Sequence, residues 1–357
     1  MRIDLSMWGK ALQGVPRIGK EDWDRLDLVS RWLIATRAMA LVLSFISATI
    51  AGLLALQAGE FNFWVWLLLV VGLFMAHGTN NLLNDYTDYS RGVDKGNYFR
   101  AQYGPQPLEH GLMSKRQLLT YAAVTGLIAV AAGVVLVFYR GGLTLPLMVL
   151  GALFVLFYTW PLKYIGLGEL VLLLVWGPLM VGGGFYVLTG VWEWNVALAG
   201  LAYSLGVTAA LMGKHIDKLD MDAAMHIRTL PVLLGDRLAR YTTLTLIVLQ
   251  YVVVVYLIVI GFFTPLMLLV FLSLPMFFKN VLPMYRHPRP TERPEHYPAE
   301  IWPLWFVASA FAFSRRFGML FLGGLILDTI LKLLILPILG CDCQRVYNLT
   351  RCPAGPH

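Results

Sequence analysis

The chain has 357 residues, of which 58% are hydrophobic and only 14% charged, against roughly 25% charged in an ordinary soluble domain, and a water-soluble globule is thereby excluded. The net charge of +7 would raise the question of nucleic acid in a soluble protein, but here the basic residues fall in loops between apolar runs, and no nucleic-acid partner is expected. A spanning helix needs about 20 predominantly apolar residues, because every backbone polar group in hydrocarbon must be satisfied within the segment, so this length accommodates eight to ten spans.

In chain order, residues 1–31 hold no apolar stretch early enough, or followed by a small-residue cleavage site, to be a cleaved signal; they predict a basic, partly amphipathic cytosolic arm at the membrane surface. Residues 32–340 then predict an all-α polytopic transmembrane bundle of nine spans, near 33–57, 62–83, 118–139, 143–161, 167–190, 194–213, 241–262, 264–284 and 317–339. The apolar run 301–314 is too short for a crossing and suits an interfacial or re-entrant helix; the Pro-rich connection 283–303 before it cannot be one continuous helix. All three cysteines, Cys341, Cys343 and Cys352, fall in a C-terminal tail, 341–357, so the body has no disulfide framework.

With the N-terminus inside, 24 of the 28 Lys and Arg residues lie on the cytosolic side. That bias orients the bundle and puts the two largest polar loops, after spans two and six, on one face.

Span two ends in His77-Gly78-Thr79-Asn80-Asn81-Leu82-Leu83-Asn84-Asp85-Tyr86-Thr87-Asp88, with Asp94 beyond. Asn81, Asn84, Asp85 and Asp88 are spaced i, i+3, i+4, i+7, which makes one polar stripe if the helix continues. Carboxylates at membrane depth are costly unless they face a cavity or a cation. A cation site is one reading, and a helix leaving the membrane into a solvated acidic loop is the other. Span six ends in Lys214-His215-Ile216-Asp217-Lys218-Leu219-Asp220-Met221-Asp222, the same theme on a second helix. Two facing carboxylate clusters need a cation between them. Magnesium suits them, as a hard ion that takes a few carboxylates and completes its shell with water and substrate phosphates. Such an ion would stabilise a departing pyrophosphate, and Lys163, Lys214, Lys218 and Arg228 could clamp phosphate oxygens. A diphosphate held in an apolar bundle implies a lipid chain at its other end.

These residues resemble the UbiA superfamily of intramembrane prenyltransferases, nine-helix proteins with aspartate-rich motifs after helices two and six. Asn84-Asp85-Tyr86-Thr87-Asp88 is similar to the first motif, and Gly111-Leu112-Met113-Ser114 to the segment that follows it. Tyr158-Thr159-Trp160-Pro161-Leu162-Lys163-Tyr164, with Trp176-Gly177-Pro178 and Arg228-Thr229-Leu230-Pro231, resembles the 1,4-dihydroxy-2-naphthoate polyprenyltransferase branch. The resemblance runs from about Arg37 to the final span. It implies magnesium-dependent transfer of a polyprenyl chain from its diphosphate to an aromatic acceptor, in menaquinone biosynthesis, at the cytosolic face of a prokaryotic cell membrane. Asp85, Asp88, Asp217, Asp220 and Asp222 would hold magnesium and diphosphate, with Asp94 a further possible ligand. Asn81, Asn84 and Lys214 would assist; Lys163 and Arg228 would bind phosphate. Tyr158 would shield the allylic carbocation, or simply anchor the interface.

The second motif departs from that branch. Lys218 stands at the first of two aspartate positions four apart, Asp222 at the second, and Lys214 or His215 replaces an asparagine; Arg100 is the candidate for a basic residue between Asp94 and Gly111. The acceptor therefore stays open among an aromatic ring, a glycerophosphate lipid and a haem or chlorophyll precursor. A cation-coupled transporter is the alternative from another class.

Gly182-Gly183-Gly184 reads as close helix packing, and His77, His110, His215, His287 and His296 as ordinary polar contacts. The cysteine tail, with His357, as a soft-metal site and the sequon at Asn348 are set aside.

Overall fold

The computed structural model describes residues 3–14, 16–96, 104–295 and 297–335. Arg100, His296, the cysteine tail and its sequon lie outside those residues. Among the described residues the protein is helical, and eight helices are long and apolar enough to cross a membrane. They are α4 (Ala38–Gln57), α5 (Phe63–Ser90), α6 (Lys115–Arg140), α8 (Gly168–Thr189), α9 (Trp194–Asp217), α11 (Leu230–Val259), α12 (Pro265–Arg286) and α13 (Phe306–Leu334). The ninth expected span is present as α7, Thr144–Phe157, too short to cross alone; the chain beyond it turns through Tyr158–Ile165 back toward the bundle. Three short helices, α1 (Leu5–Gln13), α2 (Lys20–Arg25) and α3 (Leu28–Ala35), form the N-terminal arm, and α10 (Leu219–Ala224) follows α9.

Helix starts are written in the sequence. Asn62 accepts the backbone N–H of Trp64 and Val65 to begin α5, Glu193 caps α9, and Ser114 with Gln117 makes a reciprocal capping box on α6, each satisfying N–H groups that the helix itself cannot. Packing decides the rest. Over its apolar window α9 is 83% buried, against 22% for α6, so α9 is the axis of the bundle and α6 faces lipid. Gly177 and Gly200 bring α8 onto α9 so closely that a Cβ on Gly200 would sit 2.7 Å from the Gly177 carbonyl oxygen. Small residues serve close packing in the glycine run too, where a Cβ on Gly184 would meet Ala51 at 3.1 Å.

Three expected boundaries move. The first span does not begin at 33: the helix breaks at Thr36–Arg37, where Arg37 takes the left-handed conformation (φ 55°, ψ 59°), uncommon for a residue with a side chain. The separate interfacial helix over 301–314 does not exist; from Phe306 it is the first part of α13, one helix through 317 and beyond. Arg315 and Arg316, which looked like punctuation, are exposed on its outer face, with Arg316 donating to the Leu272 carbonyl. Long basic side chains reach out of an apolar helix without ending it. The seventh crossing also starts earlier than 241, at Leu230, and kinks at Gly235 (φ 75°).

The N-terminal arm is not a loose surface segment. Trp23, Ile34 and Ala11 are buried with Leu41, Leu82, Leu112 and Leu118 in a second apolar core. This core sits on the end of α4, α5 and α6 that carries the first acidic motif. The anchor is Asp27. Its carboxylate accepts from the Ser30 backbone and hydroxyl (2.9 and 2.6 Å), from the Trp8 indole (3.2 Å) and from the Asp4 backbone (3.2 Å). Burial alone would raise the Asp27 pKa, but the hydrogen bonds from Ser30, Asp4 and Trp8 win and hold it well below the carboxylate range. A carboxylate depressed in the fold stabilises it above its unfolded pKa of about 3.9, and that contribution is lost as pH falls through the folded value. Asp27→Ala is expected to cost about 1 kcal/mol as a lost cap and to release α1. Faster tryptic cleavage at Lys10 and Arg17, with the bundle intact on a gel, is the measurement; unchanged cleavage would refute the anchor.

Candidate functional site

α5 remains helical to Ser90, so the polar stripe expected from Asn81 to Asp88 is real, and its members part company in what they touch. Asn81 donates its side-chain amide to the Thr36 carbonyl (2.8 Å), holding the break between α3 and α4. Asp85, buried, forms an ion pair with Arg37, the residue that the break presents. Asn84 and Asp88 look into a small chamber, which Asp94 also lines from the turn beyond α5.

The opposite wall comes from α9 and α10: Lys214, His215, Lys218 and Asp222. Tyr158 and Lys163 close it from the turn after α7, and Arg37 from the α3–α4 break. The space left is about 20 Å³, room for about one water molecule. Asp88, Asp94, Asp222, Lys163, Lys218 and His215 are each at most 8% exposed, so this is an interior polar site and not a solvated acidic loop.

Its charges are paired across elements. Lys163 donates to both oxygens of Asp88 at 2.9 and 3.0 Å, and Lys218 lies 3.1 Å from Asp222. Burial works against the Lys163 ammonium, but the Asp88 carboxylate beside it outweighs burial and holds its pKa above the ordinary lysine value. A buried ammonium remains charged only with such a partner. The cation at position 218, which departs from the motif of the resembled branch, therefore sits inside the site and neutralises the carboxylate four residues on.

Five of the expected residues do not line the chamber: Asn81 and Asp85, which turn to the α3–α4 break, and Asp217, Asp220 and Arg228. Asp217, buried at the end of α9, accepts from the backbone N–H groups of Trp305, Phe306 and Val307, each at 3.0 Å. It is the cap of α13, reinforced by Arg289, which donates to its backbone carbonyl at 2.8 Å. Asp220 is exposed on α10, and the Arg228 side chain is exposed while its backbone N–H donates to the Tyr164 carbonyl at 3.2 Å. Sequence reasoning in turn missed Arg37, His215 and Glu169 as parts of the site, while Lys218, read from the sequence as a phosphate clamp, lines the chamber. Glu169, 1% exposed, meets the His215 Nδ1 at 2.5 Å, a pairing of residues 46 apart that no spacing discloses.

The donor set fits a hard divalent ion of modest protein ligation. Asp88, Asp94 and Asp222 bring carboxylate oxygens, Asn84 an amide oxygen, and Asp222 Oδ2 is buried without a hydrogen bond. Among the described residues no three acidic, histidine or cysteine side chains are grouped closely enough to cage an ion unaided. Magnesium bound by one or two carboxylates and by substrate phosphates needs no such cage.

A family model described as the UbiA prenyltransferase family matches residues 45–307. The chain is 24% identical over 275 residues to UbiA prenyltransferase domain-containing protein 1 of Danio rerio, covering 73% of this chain and 78% of that one. It is 26% identical over 226 residues to the 1,4-dihydroxy-2-naphthoate octaprenyltransferase of Escherichia coli (60% and 72% covered). To the enzyme of the same name from Bacillus subtilis it is 25% identical over 259 residues (70% and 82%). A solved structure described as giving insights into the biosynthesis of digeranylgeranylglyceryl phosphate synthase in membranes superposes with a TM-score of 0.54 at 16% identity, covering 84% of this chain and 97% of that one; that likeness is one of fold. Matched over most of its length and folded alike, this chain belongs to the UbiA prenyltransferase family, as a multi-pass membrane transferase.

Proposed function

We propose that the protein transfers a polyprenyl chain from its diphosphate to an aromatic acceptor, 1,4-dihydroxy-2-naphthoate, in menaquinone biosynthesis, with magnesium, at the cytosolic face of a prokaryotic cell membrane. The observation that carries the reading is the chamber: three carboxylates and three ammonium groups (Lys163, Lys214, Lys218) enclosed together at one end of an apolar bundle. Pyrophosphate is the ligand such a mixture suits, since ammonium groups bind phosphate oxygens directly while carboxylates bind them only through a cation. Relatives named for the naphthoate reaction support the acceptor. The excess of Lys and Arg in the loops at the chamber's end supports the cytosolic orientation.

Enzymes of this family depend in general on a divalent metal. Asp88, Asp94 and Asp222 would hold the ion here, with Asn84 assisting. When bound it would neutralise the diphosphate and stabilise the charge that develops on the leaving group. The chain's own residues do the rest. Lys163 and Lys218 exchange a carboxylate partner for phosphate, Arg37 keeps Asp85 neutralised beside them, and Tyr158, lining the chamber, offers an aromatic face to the allylic cation.

Purified protein given a polyprenyl diphosphate, magnesium and 1,4-dihydroxy-2-naphthoate is expected to release pyrophosphate and to form the prenylated ring. A panel containing a glycerophosphate lipid and tetrapyrrole acceptors decides the acceptor. Turnover confined to one of those would replace the naphthoate reading, and ion flux without turnover would replace prenyl transfer.

A further inference from the structure

We infer that Glu169 and His215 form a proton-accepting dyad, in which His215 Nε2 takes the proton of the acceptor's hydroxyl. The inference rests on the prenyl-transfer reading and adds to it the group that activates the nucleophile. Glu169 stands in the first turn of α8 and His215 in the last turn of α9. Both oxygens of Glu169 are committed, Oε1 to His215 Nδ1 at 2.5 Å and Oε2 to the Leu230 backbone N–H at 3.3 Å. Two helices and the start of α11 thus lock the carboxylate, and a carboxylate facing Nδ1 accepts its hydrogen, so the proposed step uses the lone pair of Nε2. His215 is 3% exposed and lines the chamber, and among the described residues its Nε2 makes no hydrogen bond.

The surroundings argue against a merely structural histidine. Lys163 and Lys218 pair with Asp88 and Asp222, and in the prenyl-transfer reading those lysines turn to phosphate and those carboxylates to the ion, which leaves neither set to take the acceptor's proton. An imidazole whose second nitrogen makes no hydrogen bond is the lining group best placed to accept the hydroxyl proton. Glu169 would stabilise the imidazolium in a setting where water cannot, the arrangement that makes a carboxylate-backed histidine an effective base.

In the step, Nε2 takes the hydroxyl proton and the O–H electron pair moves into the ring. The ring carbon bonds to the allylic carbon while the C–O bond to diphosphate breaks, its electron pair leaving on pyrophosphate. The ring carbon then sheds its own substituent, hydrogen as a proton to water or carboxylate as carbon dioxide, and His215 returns its proton to the oxygen as aromaticity is restored.

The test uses the full chain in detergent with polyprenyl diphosphate, 1,4-dihydroxy-2-naphthoate and magnesium, and measures kcat, both KM values and binding of a non-ionisable phosphonate analogue of the diphosphate. His215→Asn is expected to lose about 10²-fold or more in kcat, with the KM for diphosphate and analogue binding unchanged within about threefold. Added imidazole is expected to restore turnover to His215→Ala, which a packing role would not allow. Glu169→Gln, which keeps a hydrogen-bonding side chain and loses the charge, is expected to lose roughly tenfold in kcat alone; it carries the test if the histidine variants do not fold. A kcat within about threefold of wild type in His215→Asn or Glu169→Gln, or a folded His215→Ala indifferent to imidazole, overturns the dyad. Failure of the wild type itself to bind the phosphonate overturns the prenyl-transfer reading, and is thereby distinguished from failure of the dyad.

Discussion

Asp88→Asn is expected to abolish prenyl transfer, lowering kcat/KM by roughly 10³-fold or more, on the scale of removing a group that holds developing charge. Asp88 is the carboxylate that α5 delivers into the chamber, and both of its oxygens face Lys163. The single substitution has a second effect. It leaves the Lys163 ammonium buried with its main counterion gone, and breaking a buried pair from one side costs about 3–5 kcal/mol. A lower melting temperature alone would therefore explain lost activity. The double variant Asp88→Asn with Lys163→Met separates the two: removing both charges is expected to return the melting temperature toward wild type while pyrophosphate release stays absent. Transfer by that stable double variant would remove Asp88 from the mechanism.

A second large effect on stability is expected from Asp217→Ala. In the sequence this residue looks like one more member of the second acidic cluster. In the fold its carboxylate collects three backbone N–H groups at the start of α13, where the helix dipole also favours negative charge. Losing it leaves buried donors unsatisfied, at roughly 2–4 kcal/mol for the lost cap and the orphaned groups together. Asp220→Ala, three residues on and exposed, is expected to change stability by no more than about 0.5 kcal/mol. Thermal unfolding of the two variants in one detergent measures the contrast; equal melting temperatures would mean that the cap at α13 contributes nothing.

How the two acidic motifs differ shows what was legible. The first lies within one unbroken helix, so its i, i+3, i+4, i+7 spacing translated directly into a shared face, and Asn84 and Asp88 reached the chamber as that spacing required. The second straddles a helix end: α9 stops at Asp217, and α10 begins at Leu219. Across such a break, neighbours in sequence point in unrelated directions. One aspartate therefore caps a distant helix, one meets solvent and one lines the chamber. Carboxylate counting could not have sorted them. Asp85 shows a subtler limit, since its partner Arg37 lies 48 residues earlier, at a backbone break that hydropathy read as continuous span.

The sequence by itself determined the membrane character, the helical class, nearly all of the crossings and the end of the bundle on which the acidic motifs lie. These follow from local rules: apolar length, capping residues and the placement of Lys and Arg depend on the chain's immediate neighbours and on the solvent alone. Only the tertiary structure decided which charges meet. Lys163 with Asp88, Glu169 with His215, Asp217 with the start of α13 and the N-terminal arm with α4, α5 and α6 are contacts between segments far apart in sequence. In an apolar interior every charge must find a partner, and which partner it finds is fixed by how whole helices pack, a property that no single segment contains.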